Sequence, residues 1–133
     1  MSISNGSIPI GATYAPSGGS ATSLVSLGGS LGEQKVFIDD SSDLALRKTA
    51  VVTSKPPTPL ASAPNGYTQQ RSAIVFHIPL LLDNGNYTIN KVSIEMSFDI
   101  ETDASEMTLL REFIAHVGVD TDFDDLFEQG STA

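Results

Sequence analysis

The sequence predicts an α+β fold, an antiparallel meander of strands followed by two helices, and three observations predict it. The first is the longest alternating segment, residues 87–100, where Val92, Ile94, Met96, Phe98 and Ile100 fall on one face and Lys91, Ser93, Glu95, Ser97 and Asp99 on the other. The second is a change of period just after it. Asp103-Ala104-Ser105-Glu106 has capping-box form, and Met107, Leu110, Ile114 and Val117 recur at helical spacing until Gly118, with Leu109 and Phe113 widening the stripe. The third is order, since every strand signal precedes every helix signal.

The elements follow in sequence. Residues 1–34 are rich in Gly and Ser, with the apolar pieces Ile8-Pro9-Ile10 and Ser23-Leu24-Val25-Ser26-Leu27 and two copies of Gly-Gly-Ser, at 18–20 and 28–30. They read as an N-terminal hairpin region with turns at the glycines. Residues 35–39 form a short strand and residues 46–54 a longer one, because Thr49, Val51, Val52 and Thr53 favour extended backbone. From 55 to 70 the prolines of Pro56-Pro57-Thr58-Pro59 and the turn signal Pro64-Asn65-Gly66 interrupt pairing, which reads as a long loop. A strand resumes over 71–78 and ends at Pro79, Asp83-Asn84-Gly85-Asn86 makes a turn, and the alternating segment follows. Asp120-Thr121-Asp122 then opens a short second helix with Phe123, Leu126 and Phe127 on one side. Two short helices cover a sheet of about five strands poorly, so the unburied face favours a dimer in which helices cross onto the partner's sheet.

Composition bounds what such a fold does. With 133 residues and 40% apolar content the chain supports one compact domain. No apolar run reaches a membrane-spanning length, and the start Met1-Ser2-Ile3-Ser4-Asn5 lacks signal-peptide features, so a soluble, unsecreted protein is expected. Cysteine is absent, which excludes disulfides, thiolate nucleophiles and cysteine-based zinc sites. The net charge of −9 argues against a polyanionic partner, yet it is unevenly spread. Lys35, Arg47, Lys48, Lys55, Arg71 and Lys91 face only Asp39, Asp40, Asp43 and Asp83 in the central stretch, a local balance of +2. From Glu95 onward eleven acids stand against Arg111 alone, a balance of −10. A basic middle and an acidic end suggest two surfaces facing different environments, or simply an acidic solvated helix face beside a neutral sheet.

Catalytic signatures are missing. There is no Gly-x-Ser-x-Gly, no Walker-type loop and no His-Glu-x-x-His, and nothing pairs a nucleophile with a base, so no enzyme is expected. Asp120-x-Asp122-x-Asp124 resembles the start of a calcium loop, but Asp125 replaces the sixth-position glycine and Ser131 the closing glutamate, which leaves helix capping. His77 shares a face with Arg71, Ala73 and Val75, where it either meets a polyanion or is inert, and His116 reads as a helix-end residue near the negative pole. No metal or cofactor is implied.

One resemblance gathers these features. Ser93-Ile94-Glu95-Met96-Ser97-Phe98, the turn with Thr102-Asp103 and the acid-capped helix from Glu106 to His116 resemble the last strand and first helix of the levivirus-type coat proteins of single-stranded RNA bacteriophages. Phe123-Asp124-Asp125-Leu126-Phe127 is similar to that family's closing helix, and Arg47-Lys48-Thr49-Ala50-Val51-Val52 and Arg71-Ser72-Ala73-Ile74-Val75-Phe76-His77-Ile78-Pro79 are similar to its two central strands. The resemblance implies a single coat domain over 1–133: an N-terminal hairpin, a five-stranded antiparallel sheet facing the particle interior, and two C-terminal helices interlocked across a homodimer. It implies self-assembly into an icosahedral T=3 shell around the RNA genome, within a virion assembled in the bacterial cytoplasm, with no membrane or small-molecule partner. It also implies that the dimer's sheet face binds an RNA hairpin and represses replicase translation. By position the RNA-binding residues are Arg47, Thr49, Arg71, Lys91, Ser93 and Glu95, with Tyr87 the best-placed aromatic for stacking a base. The connection at 80–86 is shorter than the family's, and the 55–70 loop longer. The competing readings are a non-viral β-rich binding module, such as an adhesin or carbohydrate-binding domain, which leaves the terminal helices unexplained, and a structural component of another phage type.

Overall fold

Alternation produces five strands, each bounded by residues that cannot extend it. In the computed structural model, which describes residues 6–12 and 17–130, they are β1 (Leu24–Ser30), β2 (Glu33–Ile38), β3 (Thr49–Lys55), β4 (Gln70–Leu81) and β5 (Tyr87–Phe98). They form one antiparallel sheet in the order β1-β2-β3-β4-β5. The helices are α1 (Ala104–Val119) and α2 (Asp124–Gln129), the second entered through a 3-10 turn at Thr121–Phe123. Expectations resting on residues 1–5, 13–16 and Ser131 lie outside the described residues. The chain divides into two compact units, Gly19–Glu101 with the sheet, and Met1–Gly18 joined to Thr102–Ala133 with the helices.

The expected N-terminal hairpin is the first pair of the sheet itself. β1 pairs with β2, and their turn is Leu31-Gly32 rather than Gly28-Gly29-Ser30, which instead carries an irregularity in β1 between Ser26 and Gly28. Gly32 has φ +82°, and its carbonyl accepts from Ser54 N–H at 2.8 Å. A Cβ there would lie 2.9 Å from the Ser54 carbonyl oxygen, so both backbone conformation and close approach require glycine. Ile8-Pro9-Ile10 forms no strand. It enters a turn in which Ala12 N–H donates to the Pro9 carbonyl at 3.2 Å. Within the helical unit, Ser7 N–H donates to Asp122 Oδ2 at 2.9 Å and Gly11 N–H to Glu112 Oε2 at 3.3 Å.

β3 begins at Thr49, not at Leu46, because Leu44–Leu46 closes a 3-10 turn. Ahead of it Asp40 gathers the bend: its carboxylate accepts from Ser42 N–H at 3.1 Å and pairs with Lys48 Nζ at 2.5 Å. These donors, Lys48 first, hold the Asp40 carboxyl well below the usual carboxylate range. The 55–70 loop is ordered despite its prolines. Thr68 N–H donates to the Thr58 carbonyl and Leu60 N–H to the Gly66 carbonyl, both at 2.8 Å, so Pro59 sits opposite Tyr67 where antiparallel pairing asks it for no N–H. Asn65 Nδ2 fastens the loop to Asp99 Oδ1 at 2.7 Å.

β4 runs through Pro79 to Leu81, three residues beyond the expected end. Its pairing with β3 stops at His77↔Thr49, so beyond His77 a missing N–H deprives no β3 neighbour. The β4–β5 turn closes through Leu82 N–H to the Asn86 carbonyl at 2.7 Å. α1 shows both arms of the expected capping box: Glu106 N–H donates to Asp103 Oδ1 at 2.9 Å, and Asp103 N–H to Glu106 Oε2 at 3.4 Å. The helix passes Gly118 by one residue, Asp120 caps the following 3-10 turn, and Gly130 closes α2 at φ +68°.

Candidate nucleic-acid interface

Cross-strand register sorts the sheet into two unlike faces, because directly paired residues share a face. One face gathers Val36 and Ile38 of β2, Ala50 and Val52 of β3, Ile74, Phe76 and Ile78 of β4, and Val92, Ile94, Met96 and Phe98 of β5. It carries no charged side chain in these paired strands. An apolar depression of about 280 Å³ lies between Val52, Ile74, Ile94 and Met96, and Val92 remains 51% exposed. The buried apolar residues among those described are only Val36, Ala50 and Phe123, a small core for this chain length.

The opposite face carries the charge. Thr49, Val51, Thr53 and Lys55 pair with His77, Val75, Ala73 and Arg71, which pair in turn with Lys91, Ser93, Glu95 and Ser97. Lys35 joins them through its pairing with Val51, and Tyr87 through its pairing with Leu81. Five of the six expected residues, Thr49, Arg71, Lys91, Ser93 and Glu95, therefore share one face. Arg47 lies just before β3 rather than in it, and its guanidinium stacks over the Phe37 ring at 4.1 Å from the centroid. Lys48, beside it in sequence, is occupied by Asp40.

Sequence reasoning omitted Lys35 and Lys55. Lys55 was assigned to the loop, although its spacing from Thr49 and Thr53 places it on their face. The register puts Lys55 directly opposite Arg71. Like charges directly opposite destabilise a sheet, and among the described residues neither side chain has a carboxylate partner. His77 stands directly opposite Lys91 on the same face. Glu95 lies on a diagonal from Arg71 without pairing to it, and as an acceptor it suits base amino groups rather than phosphate. The face thus carries exposed Lys35, Lys55, Arg71 and Lys91 beside two acids, Glu95 and Glu33, the latter paired with Thr53, and is interleaved with small hydroxyl residues.

Three solved structures similar to this chain are virus-like particles. The virus-like particle of bacteriophage GQ-907 contains a chain 30% identical to this one, covering 99% of this chain and 100% of that one, with a TM-score of 0.85. Two more distant likenesses show the fold alone. The virus-like particle of bacteriophage AVE019 aligns at 8% identity over 84% of this chain and 87% of that one, with a TM-score of 0.65. That of Beihai levi-like virus 21 aligns at 10% identity over 88% and 91%, with a TM-score of 0.60. No protein-family model and no curated protein matches the sequence.

Proposed function

The chain belongs to the levivirus-type coat proteins of single-stranded RNA bacteriophages, and from that premise we propose that it dimerises and holds genomic RNA on the cationic sheet face. A coat protein is a structural subunit of a particle rather than an enzyme. The RNA reading adds that the subunit's inward surface is the face bearing Thr49, Arg71, Lys91, Ser93 and Glu95, extended by Lys35 and Lys55 and flanked by Arg47.

The observation that carries this reading is the Lys55–Arg71 pair, two cations held directly opposite without an acid between them. An RNA phosphate relieves that repulsion, and each neutralised phosphate adds a salt-dependent increment to affinity. Packaging contacts of this kind need no sequence preference. Hairpin recognition needs stacking platforms for unpaired bases, and Tyr87, 56% exposed at the start of β5, is the aromatic best placed for it.

Dimerisation is supported by what a single copy leaves uncovered. The apolar sheet face is partly exposed, and Phe127 on α2 is 64% exposed. The two sheet edges also differ. β1 is short, glycine-bearing and irregular, whereas β5 is a regular edge of 12 residues without proline, the kind of edge a second copy extends. In the proposed assembly β5 pairs with β5 of the second copy and the helices clasp the partner, leaving the cationic faces of both copies on one side. Shells form in the bacterial cytoplasm, with T=3 the family expectation.

The test is the triple substitution K35A/K55A/R71A. Purified particles are expected to carry less nucleic acid per subunit, read by ultraviolet absorbance ratio, while the subunit remains folded and dimeric. An unchanged RNA content in intact particles contradicts the assignment of this face.

A further inference from the structure

Within the β5–β5 seam proposed above, we infer that the two-fold axis passes through Ser93, so that Lys91 of each protomer stands opposite Glu95 of the other. This deepens the dimer reading and rests on it. The argument uses the strand alone. In an antiparallel pair, residues directly opposite share a sheet face, so two copies that keep apolar and polar faces aligned must have the axis at a residue rather than between residues. Five central positions are then available, Lys91 to Glu95.

Charge and length decide among them. An axis at Lys91 sets Lys91 against itself and one at Glu95 sets Glu95 against itself, and like charges directly opposite are unfavourable. An axis at Val92 leaves Glu95 against Ile89, and one at Ile94 leaves Lys91 against Ser97 while shortening the ladder. The axis at Ser93 matches Val92 with Ile94 on the apolar face, Ser93 with Ser93 and Lys91 with Glu95 on the polar face, and uses the strand from Thr88 to Phe98. Among the described residues neither the Lys91 nor the Glu95 side chain makes a hydrogen bond or ion pair within its own chain, so both are available. Both are exposed, as are all residues of β5 from Tyr87 to Ser93. The pairing forms two ion pairs per dimer and assigns Lys91 and Glu95 to the seam, leaving phosphate contacts chiefly to Lys35, Lys55 and Arg71.

The absence of cysteine from the chain makes the test direct. Residues opposite one another in an antiparallel pair have Cα atoms roughly 4.5–5.5 Å apart, inside the range a disulfide spans. Single-cysteine variants V92C, S93C and I94C are expressed as full chains, oxidised mildly and run on a non-reducing gel, with light scattering giving the subunit mass of the reduced protein. The expected result is a covalent dimer from S93C and little from its neighbours. In addition E95K should weaken the reduced dimer several-fold, with K91E/E95K restoring it. Preferential cross-linking of V92C or I94C overturns the register while the dimer stands. A dimer by mass with no cross-linking at any position overturns the β5 seam, and a monomer overturns the dimer reading as well.

Discussion

Two carboxylates show how single residues fix local structure, and acid titrates both. The backbone N–H of Glu106, then the Ser105 hydroxyl, hold the Asp103 carboxyl below its ordinary value, as Lys48 and Ser42 do for Asp40. Each group therefore stays ionised to lower pH in the folded chain than in the unfolded one. Their contribution is complete above the ordinary value of 3.8 and is lost as pH falls through the lower folded value. Asn accepts the same cap bond without titrating, so D103N should keep α1 and show a shallower loss of stability in acid, whereas D103A should melt earlier at neutral pH. Thermal melts across the acid range read both. His116 is the reverse case, a buried ring whose Nε2 finds no hydrogen-bond partner among the described residues. An unsatisfied buried polar atom costs about 1–3 kcal/mol, so H116L should be at least as stable as the parent in urea unfolding. A clear destabilisation of H116L relative to the parent contradicts that account of the site.

At the scale of elements, turns rather than strands decide where the sheet is vulnerable. Gly32 combines a left-handed backbone with close approach to Ser54, and G32A should cost about 1–3 kcal/mol by chemical denaturation. A loss of only a few tenths would show that the β1–β2 turn relaxes freely. The same contrast explains what was legible in the sequence. β5 and α1 were readable because their periodicities run long and a complete capping box marks the switch between them. The Lys91-Ser93-Glu95 face followed from alternation alone. Arg47 was read as part of a strand from Leu46 to Ser54, whereas the 3-10 turn closed by Leu46 N–H on the Asp43 carbonyl and the Asp40–Lys48 tie across eight residues hold it just ahead of β3. Lys55 was missed because the adjacent Pro56-Pro57 signal a strand end before it, and Pro79 was read as a stop because its sheet neighbours are not visible in the sequence. Register, which sets Lys55 against Arg71, belongs to paired strands and cannot be read from either one.

For the whole molecule the charge asymmetry becomes a division of labour. The helical segment from Thr102 onward holds eight of the sixteen acids against Arg111 alone, and the sheet's polar face gathers Lys35, Lys55, Arg71 and Lys91. A net charge of −9 is therefore compatible with RNA on one surface, provided assembly turns that surface inward and the acidic one elsewhere. Packaged RNA should also make particle stability depend on salt, since counterion release falls as ionic strength rises. The central claim is that this chain alone builds a shell around RNA. Electron microscopy of the protein expressed by itself in bacteria, with the ultraviolet absorbance ratio of nucleic acid to protein on the same fraction, tests it most directly. Uniform closed shells containing nucleic acid are the predicted result; a small, RNA-free monomer or dimer under assembly-permissive conditions would contradict it.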